Sequence, residues 1–279
     1  MAWGMWRFGG DDLDAATARV EAALDAGINF FDTADIYGGR AGFGAAETLL
    51  GRVLARAPSL RGRMVLATKG GIQPGVPYNS SADYLVGACE ASLRRLGVER
   101  VELYQVHRPD SLAHPAEAAA AFERLRAAGK IAEAGVSNYS AAQVVALAAH
   151  MPFVLASTQP EFSPLAIDPL SDGVLDQALQ LGLGVLAWSP LGGGRLEQGS
   201  SDPRVIALID TLDKLAAGHG VARASIAYAW IMAHPAAPIP IVGTQNPARI
   251  RAAPEALTVT LSRAEWYQVL AAARGAPLP

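Results

Sequence analysis

The sequence predicts an α/β fold, a (β/α)8 TIM barrel forming a single domain over residues 1–279. Three observations predict it. Eight short apolar runs alternate with longer stretches of helical spacing. The runs are continuous rather than alternating, as in strands buried on both faces. The intervals between them are mostly long enough for a crossover helix and too long for a hairpin. Eight strands in one repeating β-α order argue for a closed barrel.

The first strand is expected at residues 2–5, followed by a helix over 13–26. Strand 28–31 then leads to helix 45–56, and strand 64–67 to helix 82–96. Strand 103–106 precedes helix 115–128, and strand 131–136 precedes helix 141–149. Strand 154–156 precedes helix 173–180. Strand 184–187 is followed by two helices, 203–217 and 223–233, and the last strand is 239–242. A final helix over 263–273, starting after Ser262, packs outside the barrel. Ser81 and Ser140 precede helical patterns as N-caps, and Gly27, Gly97, Gly129 and Gly182 come after them as C-terminal stops. An open doubly wound sheet would need a glycine-rich phosphate loop after the first strand, and residues 6–11 offer only Gly9-Gly10.

Composition narrows the function. The 279 residues are 51% hydrophobic, enough for one large core, and the net charge is −3. Lys and Arg are scattered, so no nucleic-acid footprint or membrane patch is expected. No apolar run approaches the roughly 20 residues that span a bilayer, and the start lacks a basic region followed by an apolar run. A soluble, cytoplasmic protein is the expectation, with monomer as the assumed state and no metal site. The single cysteine, Cys89, lies in a helical stretch and reads as a packing residue.

The informative feature is the polar residue or glycine at the end of each apolar run. Phe30-Phe31 is followed by Asp32, Thr68 by Lys69, and Val106 by His107. Val136 is followed by Ser137-Asn138, Thr158 by Gln159, Ala187 by Trp188-Ser189, and Val242 by Gly243-Thr244. In a barrel all these positions surround one mouth, the face that carries active sites. Asp32, Lys69, His107 and the nearby Tyr37 form a coherent set. A tyrosine has an unperturbed pKa of about 10, and a neighbouring ammonium lowers it by favouring the phenolate. A buried Lys69 needs a counter-charge, which Asp32 supplies. His107 can hydrogen-bond a substrate oxygen. Together they can protonate an oxygen that gains negative charge, as hydride addition to a carbonyl requires, and the hydride must come from a cofactor. Each of these residues alone is more often a turn cap, a solvated charge or a satisfied polar group. The joint placement carries the reading.

At these residues the sequence resembles the aldo-keto reductase family. The matching segments are Gly27-Ile-Asn-Phe-Phe-Asp-Thr-Ala-Asp-Ile-Tyr-Gly38, Ala67-Thr-Lys-Gly70 and Val106-His-Arg-Pro109. Gly135-Val-Ser-Asn138, Gln159-Pro-Glu-Phe-Ser-Pro164, Trp188-Ser-Pro-Leu-Gly192 and Gly243-Thr-Gln-Asn-Pro-Ala-Arg249 come next in order. The details look like a bacterial branch with poorly defined substrates. The resemblance implies that Tyr37 is the general acid in reduction, that Lys69 lowers its pKa and pairs with Asp32, and that His107 polarises the carbonyl. It implies that Ser137, Asn138 and Gln159 hold the nicotinamide carboxamide and that Trp188, where the family often has Tyr, stacks on the ring. Ser189, Leu191, Gly193 and Arg195 are implied along the pyrophosphate, and Gly243, Thr244, Gln245 and Arg249 near the adenosine 2′-phosphate. A small-molecule carbonyl substrate is expected near Trp6, Tyr37, His107 and Arg108, with Arg108 able to recognise an acidic group.

Three departures stand out. Many members have Lys where this chain has Gly243, and a polar adenine-binding pair near Ala252-Ala253. Members usually carry a hairpin ahead of the first strand, whereas this chain begins almost in that strand. Arg249 still favours NADP(H) over NAD(H), because a guanidinium binds a phosphate dianion well. Two other readings compete with the reductase: a nucleotide-binding regulatory or sensor protein with little turnover, and a barrel lyase or isomerase using a Schiff base at Lys69.

Overall fold

The computed structural model describes residues 1–276. Eight parallel strands close into a barrel in sequence order. They are β1 (Ala2–Gly4), β2 (Phe30–Asp32), β3 (Val65–Gly70), β4 (Val101–Val106), β5 (Ile131–Ser137), β6 (Ser157–Gln159), β7 (Gly184–Ala187) and β8 (Ile239–Val242). Pairing of Ala2 with both Phe30 and Ile241 closes the ring. The outer layer comprises α1 (Leu13–Asp25), α2 (Ala45–Arg56), α3 (Ala82–Leu96), α4 (Pro115–Ala127), α5 (Ala141–Ala148) and α6 (Val174–Leu181). It continues with the short α7 (Arg195–Gln198), then α8 (Pro203–His219), α9 (Arg223–Met232), α10 (Pro247–Ala252) and α11 (Arg263–Arg274).

Seven of the expected strands overlap the observed ones; β6 does not. It runs over Ser157–Gln159, just past the apolar segment expected to form it, and Val154 of that segment is exposed. The reason is chemical. The inward positions of β6 are Ser157 and Gln159, both buried and both hydrogen-bonded into the polar centre. An apolar run cannot mark a strand whose buried face is polar.

Helix ends follow the expected signals, with Gly27 and Gly129 lying one residue past the C-caps Ala26 and Ala128. Ser140 and Ser262 each form a reciprocal capping box, with Gln143 and Glu265 respectively. Ser81 occupies the N-cap of α3 without a side-chain cap bond. Gly97 and Gly182 end α3 and α6 in the left-handed conformation that glycine adopts without penalty.

The period of two along a strand separates two cores. Trp3, Leu66, Tyr104 and Val242 face the helices and join the main cluster. Their neighbours Ala2, Ala67, Leu103, Leu186 and Ile241 form a small cluster inside the barrel. Continuing the inward parity by one step, toward the strand ends, gives Gly4, Asp32, Lys69, Gln159, Trp188 and Gly243. The same alternation that fills the barrel floor therefore delivers the polar set to its mouth.

The β2–α2 loop is tied down from several sides. Asp35 N donates to Lys69 O at 3.0 Å, Gly44 N to Asp35 O at 2.7 Å, and Ala46 N to Tyr37 O at 3.1 Å. Gly38 closes the turn behind Tyr37 at φ 151°, where a Cβ would lie 2.2 Å from Gly42 O. Beneath the loop, buried Glu47 accepts from Thr68 Oγ1 at 2.5 Å and from Arg95 Nε at 2.7 Å. Asp35 is fully buried there, and neither of its carboxylate oxygens has a hydrogen-bond partner among the described residues. Burial first, and the Glu47 charge second, push its carboxyl up to about 8, against the pull of Arg95, the Ile36 N–H and Lys69. Burial likewise pushes the Cys89 thiol up to about 12, in keeping with a packing role.

This packing makes two outcomes testable. Trp230 on α9 and Trp266 on α11 stack with centroids 5.0 Å apart and exchange indole N–H···O bonds with each other's backbone carbonyls at 3.0 Å. Trp230→Ala removes a fully buried ring and the docking surface of α11, so urea unfolding should show a loss of about 3–5 kcal/mol. The second concerns pH. The folded chain holds the Asp35 proton up to about 8, whereas the unfolded chain releases it near the ordinary carboxyl value of 3.8. The wild type therefore loses stability relative to Asp35→Asn as pH rises between these values, by at most about 1.4 kcal/mol per pH unit. Urea melts of both proteins at pH 5, 6, 7 and 8 check this, and parallel curves would refute the assignment of a protonated Asp35.

Candidate active site

Lys69 reaches its position from the inward face of β3 and is completely buried. Its ammonium donates to Asp32 Oδ2 at 2.7 Å, Thr33 O at 2.9 Å and Tyr37 Oη at 3.2 Å. Three donors thus meet three acceptors, which is what a desolvated ammonium requires. Burial works against the charge, but Asp32 and then Tyr37 outweigh it, and the Lys69 pKa lies above its ordinary value. Asp32 is held on its other side by Gln159 Nε2 at 3.0 Å.

The tyrosine behaves differently from the sequence expectation. Lys69 does pull its pKa down, but burial pushes it up by more, and Asp32 adds to the rise. The net direction is upward, so Tyr37 is a protonated phenol at neutral pH. The loop that carries it folds the ring into the apolar corner formed by Ala34 and Ala46, which is why desolvation dominates.

His107 stands across from Tyr37, with ring centroids 5.6 Å apart and an edge-to-face angle of 78°. Burial holds its pKa well below the ordinary value, and the charges of Lys69 and Arg108 push it the same way. The imidazole is therefore neutral. Its Nδ1 is buried without a partner among the described residues, which leaves Nε2 as the ring's remaining polar atom.

A hydrogen-bonded chain continues along the strand ends. Asn138 Nδ2 donates to His107 O at 3.0 Å and to Ser137 Oγ at 2.9 Å, and Ser137 Oγ donates to Gln159 O at 2.9 Å. Trp188 Nε1 donates to Asn138 Oδ1 at 3.0 Å. Asn138 and Ser189 both take positive φ, at 60° and 55°. Such backbone is uncommon outside glycine and concentrates at functional loops.

These groups open onto one cavity of about 830 Å³. Its lining includes Trp6, Asp32, Tyr37, His107 and Arg108 at one end, with Ser137, Asn138, Gln159 and Trp188 along the wall. It continues past Ser189, Leu191 and Gly193 to Gly243, Thr244, Gln245 and Arg249. The lining thus includes every residue that the sequence assigned to a site except two. Lys69 lies behind Tyr37 rather than in the wall, and Arg195 is outside the lining, its Nε donating to Gly192 O at 3.1 Å.

The lining also holds residues that strand-end reasoning missed. Arg7, in the β1–α1 loop, donates to Gly193 O at 3.4 Å, and its Nη1 lies 3.4 Å from where a Cβ at Gly243 would be. The charge absent at Gly243 is thus matched by a guanidinium brought in from another loop. Glu197, Gln198, Ala222, Ala224, Ser225 and Tyr228 line the far end. A helical residue such as Tyr228 carries no strand-end signal, so only the fold reveals it. Among the described residues no group of three His, Cys, Asp or Glu side chains could hold a metal, and no helix is long and apolar enough to cross a membrane.

Comparison with known proteins gives a consistent result. The 6-dehydroglucose reductase of Novosphingobium aromaticivorans is 55% identical, over 100% of this chain and 93% of that protein. Oxidoreductase YdhF of Escherichia coli is 36% identical, over 99% and 94%. The glycerol dehydrogenase AKR11B4 from Gluconobacter oxydans superposes with a TM-score of 0.86 at 28% identity, covering 100% of this chain and 93% of that one. The model of the Aldo/keto reductase family matches residues 1–274. With the barrel, the strand-end polar set and this match in agreement, the chain belongs to the aldo-keto reductase family of nicotinamide-dependent oxidoreductases.

Proposed function

We propose that this chain reduces an aldehyde to an alcohol with NADPH, that Tyr37 is the general acid, and that the substrate is a sugar oxidised at its terminal carbon. The observation that carries the reading is the Tyr37–Lys69–Asp32 chain, in which a protonated phenol in the cavity wall is backed by a buried ammonium paired with a carboxylate. The substrate class comes from the 55% identical relative named 6-dehydroglucose reductase.

The cavity fits a nicotinamide dinucleotide. Trp188 offers an aromatic wall beside the catalytic end, Gly193 admits close approach of a pyrophosphate, and Arg249 adds a charge to the lining. Asn138 spends both amide protons internally, which leaves a lone pair on its Oδ1, with Gln159 Oε1, for a carboxamide N–H. Ser137, between them, fixes both side chains. A bound reduced nicotinamide supplies the hydride that no side chain can.

The protein's own part is to place the carbonyl oxygen and give it a proton. The oxygen lies between Tyr37 Oη and His107. As the carbonyl carbon gains its hydrogen, the oxygen becomes an alkoxide, and Tyr37 protonates it. The new phenolate then faces the Lys69 ammonium across the 3.2 Å hydrogen bond. Lys69 interacts weakly with a neutral phenol and strongly with a phenolate, so it stabilises charge that develops only during reaction. Neutral His107 donates a hydrogen bond without competing as the acid. Trp6, which packs edge-on to Tyr37 at 5.2 Å and is 57% exposed, gives a sugar ring an aromatic face. Arg108, over Trp188 at 5.8 Å and without a side-chain hydrogen bond among the described residues, gives its hydroxyls or an acidic group a donor. The complete proton path is what a catalyst needs and a binding-only sensor does not.

Tyr37→Phe should lower kcat/KM for 6-dehydroglucose, followed as loss of NADPH absorbance, by a factor of about 10² to 10⁴ while NADPH still binds. Retained activity would sink the assignment. The phenol's raised pKa has a second consequence. Reduction should not fall off below about pH 9, because the acid stays protonated there. A pH–rate profile with an alkaline limb near 7 in the reductive direction would contradict it.

A further inference from the structure

Arg95, in the last turn of α3, packs beneath the loop that carries Tyr37. Its Nε donates to the Glu47 carboxylate of α2 at 2.7 Å, and its Nη2 lies 2.7 Å from the same oxygen. Nη2 also donates to Ser92 Oγ at 3.0 Å, which fixes the fork. The stem of Arg95 lies against the loop backbone: a Cβ at Gly44 would stand 2.5 Å from its Cδ and 2.7 Å from its Nε. The guanidinium lies 5.6 Å from the centroid of the Phe43 ring. A Cβ at Gly51 would collide with Arg95 O, so α2 and α3 are in close backbone contact here.

Phe43, Gly44 and Glu47 thus all bear on one guanidinium, and this segment is hydrogen-bonded to the tyrosine's own stretch of loop. Gly44 N donates to Asp35 O at 2.7 Å, and Ala46 N donates to Tyr37 O at 3.1 Å. Ala46 also packs with the Tyr37 ring. On its other side Glu47 accepts from Thr68 of β3, the residue before Lys69. One ion pair therefore ties the backbone behind the phenol to the strand that supplies the ammonium. No other cation can take its place locally. Asp35 and Glu47 are both buried, Lys69 is paired with Asp32, and Arg95 is the one cation in an ion pair with either acid among the described residues. Arg95 lies outside the cavity lining, so whatever it does for the reaction it does through other residues.

We propose that Arg95 is a positioning residue for carbonyl reduction: paired with Glu47 and packed on Gly44 and Phe43, it holds the β2–α2 loop so that the Tyr37 hydroxyl stays on Lys69. This rests on the reading of Tyr37 as the general acid. Without the guanidinium, Glu47 is left buried and uncompensated, and the loop that packs on the pair loses its support. The acid is then misplaced while the walls that bind cofactor and substrate remain. The signature lies in turnover rather than affinity.

The test measures kcat and KM for 6-dehydroglucose, and the Kd of NADPH, in wild type, Arg95→Met, Tyr37→Phe and the double variant. Methionine keeps much of the stem against Gly44 and removes the charge. Melting temperatures set an assay temperature at which every variant is folded. Arg95→Met should lower kcat about ten- to a hundredfold, the scale of a small displacement of a reacting group, with KM and NADPH affinity within about twofold of wild type. In the Tyr37→Phe background the same substitution should change the residual rate, read in single turnovers, by less than about twofold, because the group it positions is gone. Arg95→Lys restores the charge without the fork and should recover only part of kcat. If Arg95→Met fails to fold, Arg95→Lys carries the same cycle. Losses that multiply in the double variant, an unchanged kcat, or a parallel loss of NADPH affinity overturn the proposal. Wild-type activity in Tyr37→Phe overturns the general-acid reading instead, a result distinct from multiplying losses beside a disabled Tyr37→Phe.

Discussion

An ammonium buried in the middle of a protein must find compensation or lose its proton, and Lys69 finds it in Asp32, Thr33 O and Tyr37 Oη. The rest of the site is arranged around this demand. Asp32 ends β2, Lys69 lies on β3, and Gln159 of β6, 127 residues beyond Asp32, steadies the carboxylate from the far side of the barrel. Such a pair is weak as a source of stability, because desolvation of both charges offsets their attraction. In the proposed reaction its value is electrostatic preorganisation: a positive charge is held at the phenol before any phenolate exists.

The same constraint governs the layers outside the barrel. Inward residues of β3 are Ala67 and Lys69, so the intervening Thr68 points to the helices, where Glu47 accepts its hydroxyl and also binds Arg95. The strand that carries the lysine is thereby locked to α2 and α3. The loop between β2 and α2 lies over this cluster, with Asp35 sealed under it and Tyr37 on its outer side. The Tyr37 ring is thus positioned by hydrogen bonds of its own loop and by packing on Ala34 and Ala46, rather than by Lys69 alone.

Around the mouth, the hydrogen bonds from His107 through Asn138 to Trp188, and from Ser137 to Gln159, link groups at the ends of four strands. Asn138 accepts left-handed backbone to do so, at a position where asparagine is among the few tolerant residues. The cavity's two ends then differ in kind. The end around Tyr37 and His107 is built from strand termini and the loops that follow them; the other end draws on helices α7, α9 and α10 and their loops.

That division explains how much was legible in the sequence. A parallel strand buried on both faces must be a continuous apolar run, and each such run must end at the same rim of the barrel, so Asp32, Lys69, His107, Ser137, Gln159 and Trp188 could be placed at one mouth from order alone. Where a strand's inward face is polar, as at Ser157 and Gln159, that signal vanished and β6 was displaced. The net acidity of Tyr37 was decided by tertiary structure, because burial is a sum over the whole surrounding fold while a neighbouring lysine is a single pair. Arg7 approaching Gly243, Arg195 lying outside the cavity lining, and Tyr228 reaching that lining from α9 were likewise settled only in three dimensions. Strand periodicity fixes which way a side chain points along its own strand; it carries no information about loops and helices that meet across the barrel from distant parts of the chain.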